Sequence, residues 1–169
     1  MSKKFLIWLS LGILGLIFSF IFLFAQEEPS IPKVDVTPPP VFLKPADLHW
    51  ADGPAAVPKG AKVALVYGNP AKGPYAQFVK VPKGYTFKPH FHGENESVAL
   101  ISGTVVAGFG DKIDLKSGTT LSAGGYGFIP AGTAHWAVAK TDAMFYQHVS
   151  GPASTTYVHP EDDPRSVER

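Results

Sequence analysis

Short runs in which apolar and polar residues alternate fill the chain from about residue 60 onward. They are rich in Val, Tyr, Phe and Ile, and Gly-Pro, Asn-Pro or Lys-Gly pairs separate them, which is typical of short antiparallel strands. No such run keeps a 3.6-residue period over ten residues, so we expect almost no helix there. Nine such runs predict an all-β domain, either a closed barrel or a two-sheet jelly roll. These folds are favoured because they remove or cover the exposed edge strands of a sheet. The predicted strands span residues 61–68, 75–82, 85–92, 96–110 with a break near Gly103, 118–123, 126–131, 134–140, 143–150 and 155–160.

The N-terminal segment has a different pattern. Two lysines precede an uncharged, apolar run over residues 5–25, which as a helix would be roughly 31 Å long, about the thickness of a bilayer core. We therefore expect residues 1–25 to be a signal peptide or a membrane anchor helix, with cleavage after Ala25 and an uncleaved anchor both open. Since lysines precede the run and glutamates follow it, we expect the domain to be periplasmic or extracellular, tethered to the inner membrane if the segment is retained.

The remaining composition predicts one domain behind a linker. Residues 26–45 contain six prolines and no amphipathic period, which indicates an extended Pro-rich linker. We expect residues 46–169 to form a single β-rich domain. Two of the 15 Lys and Arg precede the hydrophobic run, which leaves 13 against 14 Asp and Glu and gives no basic footprint for nucleic acid. The chain has no cysteine, so disulfides, a lipid-modified cysteine and a cysteine nucleophile are excluded.

Two histidines one residue apart are the first candidates for chemistry. His90 and His92 lie two positions apart on a predicted strand, so their side chains project to the same face. Glu96 begins the return strand, and His135 opens a later one. Three imidazoles and one carboxylate suit Mn, Fe, Co, Ni, Cu or Zn and leave coordination positions open. Taken singly, these histidines are more often solvated strand residues, and Glu94 and Glu96 would be read as turn residues.

The spacing around these histidines resembles the first motif of the cupin family. That motif runs Gly, five residues, His-x-His, three or four residues, Glu, six residues, Gly. The chain fills it with Gly84, His90, His92, Glu96 and Gly103. The three-residue gap after the second histidine selects Glu96, not Glu94, as the acidic residue of the motif.

A second cupin motif is matched about forty residues later. The family pattern runs Gly, five residues, Pro-x-Gly, two residues, His, three residues, Asn, and the chain supplies Gly124, Pro130, Gly132 and His135. Ala139 stands where the family often has Asn. That Asn is not usually a metal ligand, so its loss does not affect the expected metal site.

The resemblance covers about residues 45 to 160 and implies a small exported single-domain cupin, or monocupin. Its fold would be the cupin double-stranded β-helix, a jelly-roll barrel. The implied ligands of a divalent transition metal are His90, His92, Glu96 and His135. The resemblance does not select among Fe, Mn, Zn, Ni and Cu. Single cupin barrels often form dimers, so a homodimer is compatible with the resemblance.

His148 is a further candidate for a catalytic residue. In the predicted strand 143–150 the alternation places His148, Met144 and Tyr146 on one face and Gln147 on the other. His148 could thus be a base or a wall residue of a pocket. The simpler interpretation is a strand histidine without a role in the site.

Three functions are compatible with this pattern. The first is a metal-dependent oxidoreductase, dioxygenase-like, that acts on a small organic substrate. The second is a non-catalytic module that binds or senses a small ligand through the same metal. The third is a structural site in which the metal stabilises the barrel. A small-molecule partner is expected in the first two, and a membrane contact only through an uncleaved N-terminal segment.

Overall fold

The computed structural model describes residues 41–168, which form two antiparallel β-sheets. The six-stranded sheet has the order β1-β2-β3-β10-β5-β8, and the five-stranded sheet has the order β11-β4-β9-β6-β7. The described residues contain no α-helix, and three short 3-10 helices span Pro45–Asp47, Pro160–Asp162 and Pro164–Glu168. The strands are β1 Ala51–Asp52, β2 Lys62–Gly68, β3 Tyr75–Val81, β4 Thr86–Phe91, β5 Glu96–Ser102, β6 Thr104–Phe109, β7 Thr119–Ser122, β8 Tyr126–Ile129, β9 His135–Ala139, β10 Ala143–Val149 and β11 Thr156–Tyr157.

The all-β fold and the absence of long helices are confirmed for the described residues. The run 96–110 breaks at Gly103, as expected, and becomes β5 and β6. Gly103 has a φ of 88°, a region that glycine occupies without the steric penalty of a Cβ. A Cβ there would also collide with the carbonyl oxygen of Asp142. Glycine is therefore required on both counts at the point where the chain passes from one sheet to the other.

Residues 1–25, predicted to be a signal peptide or an anchor helix, lie outside the described residues. Within residues 41–168, no helix is long and apolar enough to span a membrane. The predicted boundaries of the linker and the domain remain predictions.

The core lies where the inward faces of the strands meet. On β10, Phe145 pairs with Val79 of β3 on one side and with Leu100 of β5 on the other. All three side chains are buried, so they form a continuous apolar row across the six-stranded sheet. Two positions further along β10, Gln147 pairs with Gln77 on the same face. The register therefore puts two amides at one end of an apolar interior.

Trp136 anchors the five-stranded sheet. It lies in β9, and 2% of its surface is exposed. A Cβ on Gly118 would lie 2.7 Å from the indole ring and 2.7 Å from a methyl group of Val106. The chain before β7 can pass this closely over the ring only because position 118 has no side chain. This packing fixes β9, whose first residue is His135.

Candidate metal centre

Three histidines converge at one end of the interior. His90 is in β4, His92 directly follows that strand, and His135 begins β9. Register brings two of them together, because His90 pairs with His135 across the sheet. The ring centroids are 4.3 Å apart for His90 and His135, 4.9 Å for His90 and His92, and 5.2 Å for His92 and His135. One nitrogen from each ring lies within 4.8 Å of the others, which is close enough for all three to bind one ion.

Each imidazole is held by a backbone carbonyl at its Nδ1 atom. The distance is 2.6 Å from His90 to the oxygen of Lys88, and 3.0 Å from His135 to that of Thr133. A carbonyl only accepts hydrogen bonds, so each Nδ1 must carry the proton and donate it.

The same arrangement holds His92, whose Nδ1 lies 2.5 Å from the oxygen of Ser154, a residue 62 positions away in the chain. In the neutral ring, Nε2 is then the nitrogen with a free lone pair. Histidines that bind metals are commonly oriented in this way by a partner at the other nitrogen.

Glu96 brings a carboxylate to the same point. It begins β5 and is 4% exposed. Its Oε1 accepts a hydrogen bond of 2.5 Å from Nε2 of Gln147. Its Oε2 lies 3.2 Å from Nε2 of His92 and 3.3 Å from Nε2 of His135.

These contacts test whether the site suits a cation. In the neutral rings of His92 and His135, the proton is on Nδ1. The Nε2 atoms that face Glu96 therefore have no proton to donate to it. While both rings are neutral, Oε2 of Glu96 is buried without a hydrogen-bond donor among the described residues, which is costly in a protein interior. A cation bound between the carboxylate and the nitrogen lone pairs satisfies all of them. Three nitrogens and one carboxylate oxygen are a common donor set for divalent transition metals.

Burial and the neighbouring charges shift the pKa values of these groups. Burial by itself would raise the pKa of Glu96, but the interactions with His135 and His92 outweigh it and hold the pKa well below its usual range. Burial, and then the proximity of His135, lowers the pKa of His90 to about 4. Near neutral pH, Glu96 is therefore charged and His90 is neutral, the forms that bind a metal.

His92 shifts the other way. Burial lowers its pKa, but the hydrogen bond and charge of Glu96 outweigh burial and leave the pKa above the usual value. Without a metal, His92 therefore takes up a proton readily, and the protonated ring donates from Nε2 to the Glu96 carboxylate. A metal at this point takes the place of that proton.

The structure brings together the four residues of the motifs and leaves two other candidates apart. The carboxyl of Glu94 lies against Gly151, so the geometry favours Glu96 as the acidic ligand. His148 lies on the face of β10 opposite to Gln147, next to Tyr67 at a centroid distance of 6.3 Å, and does not line the interior cavity. The assignment of the four ligands themselves remains a prediction.

Sequence reasoning missed the amides that support the carboxylate. Gln147 donates to Glu96, and Gln77 donates to Gln147 over 2.6 Å. The alternation along the strand did separate Gln147 from His148. It could not indicate which face is inside, because both faces of that strand carry apolar residues.

A cavity of about 720 Å³ extends from the histidines between the two sheets. Most of its walls are aliphatic or aromatic side chains, and the site opens into it through His90, His92, His135 and Glu96. The arrangement can hold a cation at the end of an apolar chamber, with room for an organic molecule beside it.

Known proteins resemble the chain in fold. It superposes on an acetylacetone dioxygenase from Acinetobacter johnsonii with a TM-score of 0.58 and 19% identity, over 80% of this chain and 88% of that one. For KdgF from Halomonas sp. the TM-score is 0.54 and the identity 21%, over 69% and 96% of the two chains. An RmlC-like cupin from Ralstonia eutropha JMP134 has a TM-score of 0.56 and 19% identity, over 73% and 74%.

No curated protein matches the chain. The model of the ChrR cupin-like domain family matches residues 39–154, which is more than half of the chain. The predicted resemblance is thereby confirmed at the level of the superfamily and of a single domain. The chain belongs to the cupin superfamily, within the ChrR cupin-like domain family.

Proposed function

We propose that this cupin is a metal-dependent oxidoreductase, dioxygenase-like, that uses O₂ to oxidise a small organic substrate. The observation that carries the proposal is Oε2 of Glu96, which faces two imidazole nitrogens without a hydrogen-bond donor at the end of an apolar cavity. A divalent metal with three His and one Glu keeps open positions for further ligands. The name of the Acinetobacter johnsonii relative, an acetylacetone dioxygenase, supports this chemistry.

The protein's residues have separate roles in the proposal. A redox-active metal, when bound, would supply Lewis acidity and the electron transfers that reaction with O₂ requires. The carbonyls of Lys88, Thr133 and Ser154 keep the three rings oriented with Nε2 toward the site. Gln147 holds one oxygen of Glu96 and leaves the other turned toward the histidines. The apolar walls keep bulk water away from the substrate.

Oxygen uptake tests this proposal. The purified full-length chain is loaded with Fe(II) or Mn(II) and incubated in air with enediols, phenols and β-dicarbonyls. We expect O₂ consumption with one of these classes, with ¹⁸O from ¹⁸O₂ incorporated into the product. His92→Ala should abolish it, whereas Glu94→Gln should not. No O₂ uptake with either metal across the panel would contradict the proposal.

A second candidate function is ligand binding without turnover, and one observation favours it. Apart from the four residues of the metal site, the titratable side chains among the described residues that line the cavity are Tyr75 and Tyr126. Burial, together with the charge of Glu96, raises the pKa of Tyr75 to about 12. This tyrosine is therefore a poor proton donor or acceptor near pH 7. Saturable binding that is lost in His92→Ala, with no product formed, would favour this function.

We propose an extracytoplasmic location on the basis of the sequence of residues 1–25 alone. The test is protease treatment of cells whose outer envelope is permeabilised and whose inner membrane is intact. The domain should be degraded while a cytoplasmic marker survives. Protection of the domain in cells with an intact inner membrane would contradict the proposal.

A further inference from the structure

We infer that the cavity takes a small organic ligand with an apolar, uncharged body, whose polar atoms are confined to the end that faces the metal centre. This inference rests on the proposed function, because it names the class of molecule that the same site would act on or bind. Its basis is the set of side chains that form the cavity walls.

The cavity has no partner for a second charge. None of the described residues that line it is a lysine or arginine, and Glu96 is its single carboxylate. A carboxylate, phosphate or ammonium group on the body of a ligand would therefore be buried without an opposite charge. Such burial is strongly unfavourable in a protein interior. The charge of a ligand is tolerated only where the metal centre itself can balance it.

The walls on both sides of the chamber are apolar. From the six-stranded sheet come Val79, Val98, Leu100 and Phe145, and the five-stranded sheet adds side chains such as Val105. A volume of about 720 Å³ is within the range of pockets that hold complete organic ligands. A two-carbon diacid would leave most of this apolar surface without contact.

The two amides next to the metal centre are already engaged in hydrogen bonds. The amide nitrogen of Gln147 donates to Glu96, and that of Gln77 donates to Gln147. A polyhydroxylated ligand such as a sugar would need several donors and acceptors along its length. Beyond these two amides, six lining side chains carry a hydroxyl or an indole N–H, namely Tyr75, Ser117, Thr119, Tyr126, Trp136 and Thr155. Most of the lining is apolar, so the cavity favours a ligand with few hydroxyl groups.

Three exposed aromatic side chains line the outer part of the cavity. Phe109 is 66% exposed, Tyr126 is 61% exposed and Phe128 is 51% exposed, and all three belong to its lining. The hydroxyl of Tyr126 donates to Ser97 over 3.0 Å, so that ring is held at the edge of β8. The entrance is therefore apolar like the interior, and an apolar ligand meets no polar barrier on entry.

A matched pair of chelators tests the inference. Malonate and the enolate of 2,4-pentanedione both chelate a metal through two oxygens at the same spacing. Malonate is a dianion with a further carboxylate oxygen in place of each methyl group of the diketone, so it carries one more negative charge. Isothermal titration with the Zn(II)-loaded full-length chain gives both affinities without turnover. Each is divided by the affinity of the same chelator for free Zn(II) in the same buffer. We expect this ratio to favour the diketone at least about tenfold. An equal or higher ratio for malonate would overturn the inference.

A larger diketone tests the apolar walls. In 1-phenyl-1,3-butanedione a phenyl ring replaces one methyl group of 2,4-pentanedione. Burial of the ring should tighten binding about tenfold or more, after the same correction for free Zn(II). Weaker binding of the phenyl compound, or no binding of either diketone, would overturn the inference.

A pair of variants tests the role of charge directly. Leu121 lines the cavity and lies in the edge strand β7. Leu121→Arg should lower the preference for the diketone over malonate about tenfold, because it provides a cation. Leu121→Met, the matched control, should keep the preference. An unchanged preference in a folded Leu121→Arg protein would contradict the inference, and the two ligand series on the unaltered chain decide the question if that variant does not fold.

The two proposals fail in different ways. The Zn(II) titrations measure binding alone, so a diketone preference without O₂ uptake by the Fe(II) or Mn(II) protein supports the inference and contradicts the oxidoreductase. O₂ uptake with a charged or polyhydroxylated substrate, together with a preference for malonate, supports the oxidoreductase and contradicts the inference about the ligand.

Discussion

Glu96 distinguishes this site from a simple cluster of histidines, because its Oε2 faces His92 and His135 without a donor. We predict that Glu96→Gln weakens Zn(II) or Mn(II) binding by about 100-fold or more, since even the loss of residues that support ligands costs 10–100-fold. Competition with a chelating dye measures the affinity. Glu94→Gln is the matched control and should change it less than about twofold. Equal losses in the two variants would show that Glu96 has no special role.

Gln147 supports the carboxylate rather than the metal. Its amide donates to Oε1 of Glu96, and leucine would leave that buried oxygen without a partner. We predict that Gln147→Leu lowers metal affinity 10–100-fold by releasing the carboxylate. Gln77→Leu, which removes the partner of Gln147 only, should have a smaller effect. The d–d spectrum of the Co(II) protein should change in Gln147→Leu, which a general loss of stability would not cause. Retention of both the affinity and the spectrum would contradict this role.

The pH dependence of metal binding follows from the two shifted histidines. Without metal, the pKa of His92 is above its usual value because of Glu96, and that of His90 is about 4 because of burial. A metal competes with the proton on His92, so affinity should decrease as the pH falls through the raised pKa of His92, a decrease that begins above the usual histidine value of about 6.5. His90 adds a further loss only near pH 4. Equilibrium dialysis across this range measures the affinity, and constant retention down to about pH 4 would show that these histidines are not ligands.

At the scale of the element, the sequence predicted ten of the eleven strands, β2 to β11, but missed β1 and could not give the order of the strands in the sheets. Runs such as 75–82 and 143–150 are apolar, short and bounded by turn residues, so local pattern identifies them. The position of β10 between β3 and β5 depends on contacts between distant residues. The support of His92 by Ser154 is of the same kind, because it joins positions 62 residues apart. Motif spacing therefore predicted the residues of the site, while their hydrogen-bond partners required the fold.

The contact between Trp136 and the chain before β7 gives a prediction about one glycine. Alanine at Gly118 would place its Cβ 2.7 Å from the indole ring and from Val106. We predict that Gly118→Ala lowers the free energy of unfolding by about 1–3 kcal/mol, the usual cost of overpacking. Urea denaturation followed by tryptophan fluorescence measures the change.

Gly73→Ala is the control for that experiment. A Cβ at Gly73 meets no atom within 4 Å, and its φ is not positive. The stability of the Gly73→Ala protein should be unchanged or slightly higher, since alanine restricts the unfolded chain more than glycine does. A Gly118→Ala protein as stable as Gly73→Ala would show that the strand can move away from Trp136 at no cost.

At the scale of the whole molecule, the four residues join the two sheets. His90 and His135 belong to the five-stranded sheet, whereas Glu96 begins a strand of the six-stranded sheet. An ion bound to all of them would link the sheets at the end of the cavity. The chain has no cysteine, so no disulfide can provide such a link. Metal binding and fold stability are therefore expected to depend on each other.

We predict that metal raises the unfolding temperature of the domain. An ion at a free concentration 100 times its Kd stabilises the folded state by about 2.7 kcal/mol, which corresponds to roughly 5–15 °C for a domain of this size. Scanning calorimetry with and without a chelator measures the difference. The Glu96→Gln variant is the control, because its unfolding temperature should respond less to the same metal concentration. If chelation leaves the unfolding temperature of the unaltered chain unchanged, the ion does not link the sheets, and a structural role for the metal is wrong.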